Sequence, residues 1–201
     1  MGPFLFCRTL TRYNGGMPSA RSRKPRKPPA LLNVEGLLAY SARVLTARAQ
    51  TTSELRQKLT RRAAERSDVY EVIRRLRENG YLNDQRFAES FANWRRDNEG
   101  FGKSRVVRDL MARRVAPELA KKAAETAYSG SDETALIEQF LQRKFRGKNL
   151  GVLLQDDKHL ASAFRRLCTA GFSAGGSIKV LKRYAAEAER LEEIDEEEQP
   201  E

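Results

Sequence analysis

Three stretches of this chain carry the same apolar spacing. Ser53-Glu-Leu55-Arg-Gln-Lys-Leu59 aligns with Ser104-Arg-Val106-Val-Arg-Asp-Leu110 at a shift of 51 residues, and Ala163-Phe-Arg-Arg-Leu167 follows after a further 57. Two apolar residues four apart put a short stripe on one helix face. Five positions after each closing leucine stands another apolar residue, Ala64, Val115 or Phe172, before the next helical run. A unit that recurs in this way encloses little core alone, so copies must stack end to end. The expectation is an all-α fold of three tandem three-helix modules forming an elongated, curved body.

The rest of the pattern is helical as well. Val69, Val72, Ile73 and Leu76 fall at i, i+3, i+4 and i+7, the stripe of an amphipathic helix. Phe87, Phe91 and Trp94 form another stripe, as do Leu136, Ile137, Phe140, Leu141 and Phe145. Thr51-Thr-Ser-Glu54 and Asp68 with Glu71 read as capping boxes, Gly80 as a left-handed C-cap and Pro117 as a first-turn proline. Nothing alternates with period two long enough for a strand. Nine helices are expected, over 34–48, 52–63, 68–79, 84–97, 103–114, 117–127, 132–146, 157–170 and 174–192, with Gly147–Asp156 as an insertion loop. The modules then span 34–81, 82–130 and 131–186.

Charge is placed unevenly. Residues 1–33 read as a disordered basic arm, with prolines, glycines and seven cations but no acid in the first thirty positions. Met17 is a second possible start. Residues 187–201 hold nine acids and one arginine, an acidic tail that serves solubility or competes for the cationic body. The body, 31–186, has 30 cations against 18 acids, which calls for a polyanionic or acidic-faced partner. No apolar run approaches the roughly 20 residues of a membrane span. Cys7 and Cys168, far apart, suit a reducing cytoplasmic setting better than a disulfide framework.

Basic pairs recur through the body: Arg61-Arg62, Arg74-Arg75, Arg95-Arg96, Arg113-Arg114, Lys121-Lys122, Arg143-Lys144, Arg165-Arg166 and Lys182-Arg183. With Arg105 and Arg108 these are the candidate contacts to DNA or a partner. The alternative for any one pair is a solvated face offset by glutamates four residues away.

Gly80-Tyr-Leu-Asn-Asp-Gln-Arg86-Phe-Ala-Glu-Ser-Phe91 resembles the signature of RecX regulatory proteins. The preceding Ser53–Leu59, the following Gly102–Leu110 and the late Arg165-Arg166-Leu167 to Gly171-Phe172 extend the resemblance over about 34–186. The first module departs from it, with Ala63-Ala64-Glu65-Arg66 in place of the usual Lys-Gly-Phe. The resemblance implies a monomeric binding protein without cofactor. Its partners would be RecA filaments on single-stranded DNA, whose recombinase and ATPase activity it would restrain in regulating DNA repair and recombination. The alternatives are a sequence-independent DNA binder acting without RecA, and a helical scaffold with no nucleic acid. Within the signature, Gly80 ends a helix, Tyr81 and Leu82 fall inward, and Asn83 or Asp84 caps the next helix. Phe87 and Phe91 face the core. Arg86 pairs with Asp84 or Glu89 or projects toward the partner.

Catalytic constellations are missing. His159 is the one histidine, too few for a histidine metal site. Gly102-Lys-Ser104 lacks the earlier glycine and strand of a phosphate loop, and Gly100-Phe-Gly102 lacks the third glycine of a dinucleotide fingerprint. Asp156-Asp157 has no partner carboxylates for acid–base work. No enzyme, metal or small-molecule substrate is expected.

Overall fold

The computed structural model describes residues 31–185, the greater part of the second of two compact units, Leu31–Glu201. The acidic tail and residues 1–30 of the basic arm lie outside the described residues.

The described chain is helical, in the order α1 (Val34–Ala47), α2 (Thr52–Thr60), α3 (Arg66–Glu78), α4 (Asp84–Trp94), α5 (Lys103–Ala112), α6 (Pro117–Tyr128), α7 (Glu133–Lys144), α8 (Leu150–Leu153), α9 (Asp157–Ala170) and α10 (Ala174–Leu181). A π-helical turn, Arg95–Glu99, prolongs α4 and ends at Gly100 in the left-handed region, φ 61°. Among the described residues no strand forms; Leu32 and Ala63 make one isolated bridge.

Apolar side chains gather in three clusters. The first joins Leu37, Leu55, Leu59, the stripe of α3 and Leu82. The second joins Phe87, Val106, Leu110, Val115 and four alanines of α6, whose small side chains let α6 lie close against α4 and α5. The third unites α7, α9 and α10 around Ile137, Leu141, Leu167 and Leu181. Phe101 packs against the second and third clusters alike. The repeat explains these centres: Leu55 and Leu59, Val106 and Leu110, Ala163 and Leu167 are all fully buried. Each fully buried leucine contributes about 1.5–3 kcal/mol.

Local signals behave unequally. Thr51 and Glu54 form the reciprocal capping box, and Gly80 takes φ 70°. The box expected at Asp68 is absent: α3 starts two residues earlier, at Arg66, and Glu71 turns to Arg74 and Arg75 instead. Gly147–Asp156 is more than a loop. Asn149 caps the one-turn α8, and Leu154 behind it is fully buried in the third cluster. The final helix stops at Leu181 rather than 192, because the chain turns over 182–184 and seats Ala185 against the third cluster. Leu32, assigned to the arm from sequence, exchanges backbone hydrogen bonds with Arg62 and Ala64. The pairing falls where the first module has Ala63-Ala64-Glu65-Arg66 instead of Lys-Gly-Phe. Its turn is completed by the incoming strand-like segment, with Ala64 exposed and Ala63 half-buried in its place.

Candidate nucleic-acid interface

The first and second clusters are clasped by polar side chains around the start of α2. Arg113 donates from Nε and Nη2 to both oxygens of Glu54 at 2.9 Å, and its guanidinium lies 4.6 Å from the centre of the Phe87 ring. Thr51 donates its hydroxyl to the Arg113 carbonyl at 3.0 Å. Asp84 accepts from the Thr52 amide at 2.7 Å, so it caps α2 across the junction, while Asn83 caps its own helix α4. Burial pushes the Glu54 carboxyl up, but hydrogen bonds from Arg113 and the Thr51 amide, with the charges of Arg113 and Arg48, outweigh it and hold the group below its ordinary value.

The second and third clusters meet backbone to backbone. Gly102 N–H donates to the Ala170 carbonyl at 2.8 Å and Ser104 N–H to the Gly171 carbonyl at 3.2 Å. A Cβ on Gly102 would collide with the Gly171 carbonyl, and one on Gly171 with the Arg105 amide. Gly102, which looks like part of a phosphate loop, therefore serves a close approach of two backbone segments.

Most of the eighteen candidate cations are engaged inside this frame. Arg95, 22% exposed, pairs with Glu99 and with Asp109 and lies against the Phe91, Trp94 and Phe101 rings. Arg96 pairs with Asp97 and donates to the Ala127 carbonyl. Arg143 caps the π turn, donating to the carbonyls of Asn98 and Glu99 at 3.0 and 2.7 Å. Arg74 is held by Glu78 and Glu71, which keep its pKa above the ordinary value, and Arg75 by Glu71. Arg183 pairs with Glu138, and Lys182 is engaged as well. Arg62 stacks 4.4 Å from the Tyr40 ring centre. Arg105 binds Asp109, and Arg105 and Arg108 both donate to the Thr169 carbonyl.

Lys121 and Lys122 are exposed on α6, Lys121 beside Glu118 at 3.7 Å, and the other candidates face solvent in two places. On α9, Ser162, Arg165, Arg166 and Thr169 stand at i, i+3, i+4 and i+7, opposite the buried Leu160, Ala163, Phe164 and Leu167. Together with Lys144, Arg105, Phe101 and Phe140 they line a groove of about 390 Å³ that has no carboxylate. Arg166 reaches over Phe145. A second acid-free groove, of about 370 Å³, lies between α2 and the turn after α5, lined by Arg56, Arg61 and Arg114 with Gln57 and Thr60. Arg114 holds φ 63°, the one non-glycine residue with positive φ among the described residues.

The signature residues divide likewise. Leu82 is buried, but Tyr81 points to solvent, 70% exposed, against the expectation that it falls inward. After Gly80 the chain bends back, the Leu82 amide donating to the Leu76 carbonyl at 3.1 Å, and Leu82 takes the core. Arg86 pairs with neither Asp84 nor Glu89; it donates to the Gly80 carbonyl at 2.9 Å. Phe87 is buried and stacks on the half-buried Phe91, ring centres 5.8 Å apart. Sequence reasoning overlooked Ser162, Thr169, Phe101 and Phe140 as groove walls, although the acid-free stripe on α9 is readable at helical spacing. His159 is exposed and meets Asp156 at 2.6 Å. Among the described residues no cluster of potential ligands for a metal ion is present, and no helix is long and apolar enough to cross a membrane.

Three helical clusters carrying two cation-lined grooves define an all-helical protein with exposed basic surfaces. The family described as "RecX, second three-helix domain" matches residues 83–123. The chain is 33% identical to Regulatory protein RecX of Deinococcus radiodurans over 171 residues, covering 85% of this chain and 77% of that one. It is 31% identical to Regulatory protein RecX of Herminiimonas arsenicoxydans over 137 residues, 68% and 85% of the two chains. Among solved structures, RecX from Lactobacillus salivarius superposes with a TM-score of 0.58 at 17% identity, over 75% of this chain and 96% of that one. This chain belongs to the RecX family of regulatory proteins.

Proposed function

We propose that the protein binds RecA filaments on single-stranded DNA and restrains their recombinase and ATPase activity, acting as a cytoplasmic monomer without a cofactor and so regulating DNA repair and recombination. RecA as partner is what the RecX resemblance implies. The observation that carries the DNA part of the reading is the α9 groove, where Lys144, Arg165 and Arg166 converge with Arg105, itself paired with Asp109, around two aromatic rings in a lining that holds no carboxylate. Such cations bind phosphates and release counterions, so affinity falls steeply with salt. Three clusters in series, as the tandem-module expectation has it, would each add a weak contact to successive RecA subunits.

RecA ATP turnover on single-stranded DNA, measured with and without the chain, tests this. The expected result is slower turnover, relieved by the double substitution Arg165→Ala, Arg166→Ala. Unchanged turnover, with naked DNA shifted equally well, would instead identify a DNA binder acting without RecA.

A further inference from the structure

The junction of the first two clusters carries an aromatic groove that shares Phe87 and Arg113 with the clasp and no residue with the α9 groove. Its volume is about 500 Å³, and Tyr81, Phe87, Phe91 and Trp94 form its walls with Arg48 and Arg86. Trp94 is 50% exposed at the end of α4, and Tyr81 stands out from the Gly80 turn. Neither ring is needed by the core beneath: Leu82 fills the first cluster, and Phe87 the second. Single exposed aromatics are ordinary, but two beside half-buried Leu45 and Phe91, in one concavity, form a patch of the kind that marks an interaction site.

The chemistry of the walls selects the occupant. Every charged residue lining the groove is an arginine. Two of these guanidiniums are held in place: Arg86 by the Gly80 carbonyl and Arg113 by Glu54 and Phe87. Flat rings beside fixed planar cations suit flat, electron-rich ligands on an anionic backbone, and every unpaired base offers such a face whatever its sequence. The volume falls in the range of about 300–1,000 Å³ that encloses a small organic ligand, which accommodates a base with its sugar.

We propose that the Tyr81–Trp94 groove is a base-stacking site for single-stranded nucleic acid, distinct from the phosphate-binding groove on α9. It rests on the proposed function only for the source of the strand. Stacking on one aromatic side chain changes affinity by about 5- to 100-fold per base.

Trp94 is the chain's one tryptophan, so its emission reports on this groove alone. Titrating the full chain with oligo(dT) should quench it, whereas an abasic strand of equal length should bind through its phosphates and leave the emission unchanged. Tyr81→Ser should weaken oligo(dT) binding about 5- to 100-fold with helical content intact, and Tyr81→Phe should restore it. Oligo(dT) that fails to bind, binds without quenching, or binds Tyr81→Ser as well as the parent overturns the assignment. So does saturable quenching only by an acidic aromatic peptide, or only by raising the concentration of the chain itself, which would identify a protein partner or a second copy. If RecA turnover responds and the emission does not, this site is wrong and the proposed function stands. The opposite pair of results sinks the function and leaves the site.

Discussion

The two junctions of this molecule are built from different materials. The first is a side-chain clasp, with Arg113, Glu54, Asp84 and Thr51 bridging the start of α2 and the turn after α5. The second is a backbone seam, with Gly102 against Gly171 and amides donating directly to carbonyls. A clasp of charges responds to salt, acid and the loss of either partner. A seam whose closest approach is backbone on backbone, with Arg105 and Arg108 donating to the Thr169 carbonyl beside it, responds first to volume. The difference places chemical sensitivity at the first junction, beside the aromatic groove, and steric intolerance at the second, beside the α9 groove.

The largest expected effect is at the seam. Gly171 combines φ 93° with no room for a Cβ against Arg105. The left-handed conformation costs an alanine about 1–2 kcal/mol, and forcing a methyl into a closed contact about 1–3 kcal/mol more. Gly171→Ala should therefore lose about 2–5 kcal/mol in urea denaturation followed by circular dichroism. A loss below about 1 kcal/mol would mean that the two backbones part easily, and the seam would be no more rigid than the clasp.

The clasp comes next. Arg113→Ala strands the Glu54 carboxylate, whose side chain is only 24% exposed. It should cost about 2 kcal/mol, the scale of a hydrogen bond to a charged group. The control is Arg74→Ala: its pairs with Glu71 and Glu78 are exposed, and its loss should stay below about 1 kcal/mol. Acid separates the junctions further. Glu54 has its pKa held below the ordinary 4.5, so its contribution is complete above that value and disappears as pH falls through the lower folded value. The stability of Glu54→Gln should decline less steeply than that of the parent over that acid range, while Gly171→Ala should keep the parent's slope. Equal slopes for all three would show that the clasp carries no pH dependence.

What could be read in the sequence follows the same division. Helical period, the Leu55–Leu59 type of stripe and the Thr51 capping box depend on neighbours three to five residues away, and they were legible. The partners of the basic pairs were not, because Arg113 meets Glu54 at a separation of 59 residues and Arg143 meets Glu99 at 44. Adjacent residues on a helix point about 100° apart, so a basic pair at a helix end splits. Arg113 and Arg143 turn into contacts with the frame, while Arg114 and Lys144 line grooves. The pair Arg95-Arg96 is taken up whole, since the π turn brings Glu99, Asp97 and the Ala127 carbonyl to both members. Tyr81 illustrates the opposite failure: an apolar neighbour, Leu82, made both residues look like core, though only Leu82 points inward from the bend after Gly80.

The smallest effect concerns the turn that the repeat shares. Four residues beyond the buried Leu110 and Leu167 stand Arg114 and Gly171, both left-handed, at φ 63° and 93°. The third unit uses glycine there; the second uses an arginine. Relief of left-handed strain, about 1–2 kcal/mol, offset by the greater freedom glycine loses on folding, about 0.5–1 kcal/mol, should leave Arg114→Gly more stable by about 0.5 kcal/mol. That corresponds to a rise of about 1–2 °C in Tm for a chain of this size. The strained cation sits in the acid-free groove with Arg56 and Arg61, and strain retained where glycine would relax it is a mark of a functional position. The same substitution should thus weaken oligo(dT) binding and lower its salt dependence by about one released counterion. A variant that gains stability and binds as before would remove this groove from the proposed interface, leaving the α9 groove as its one proposed phosphate contact.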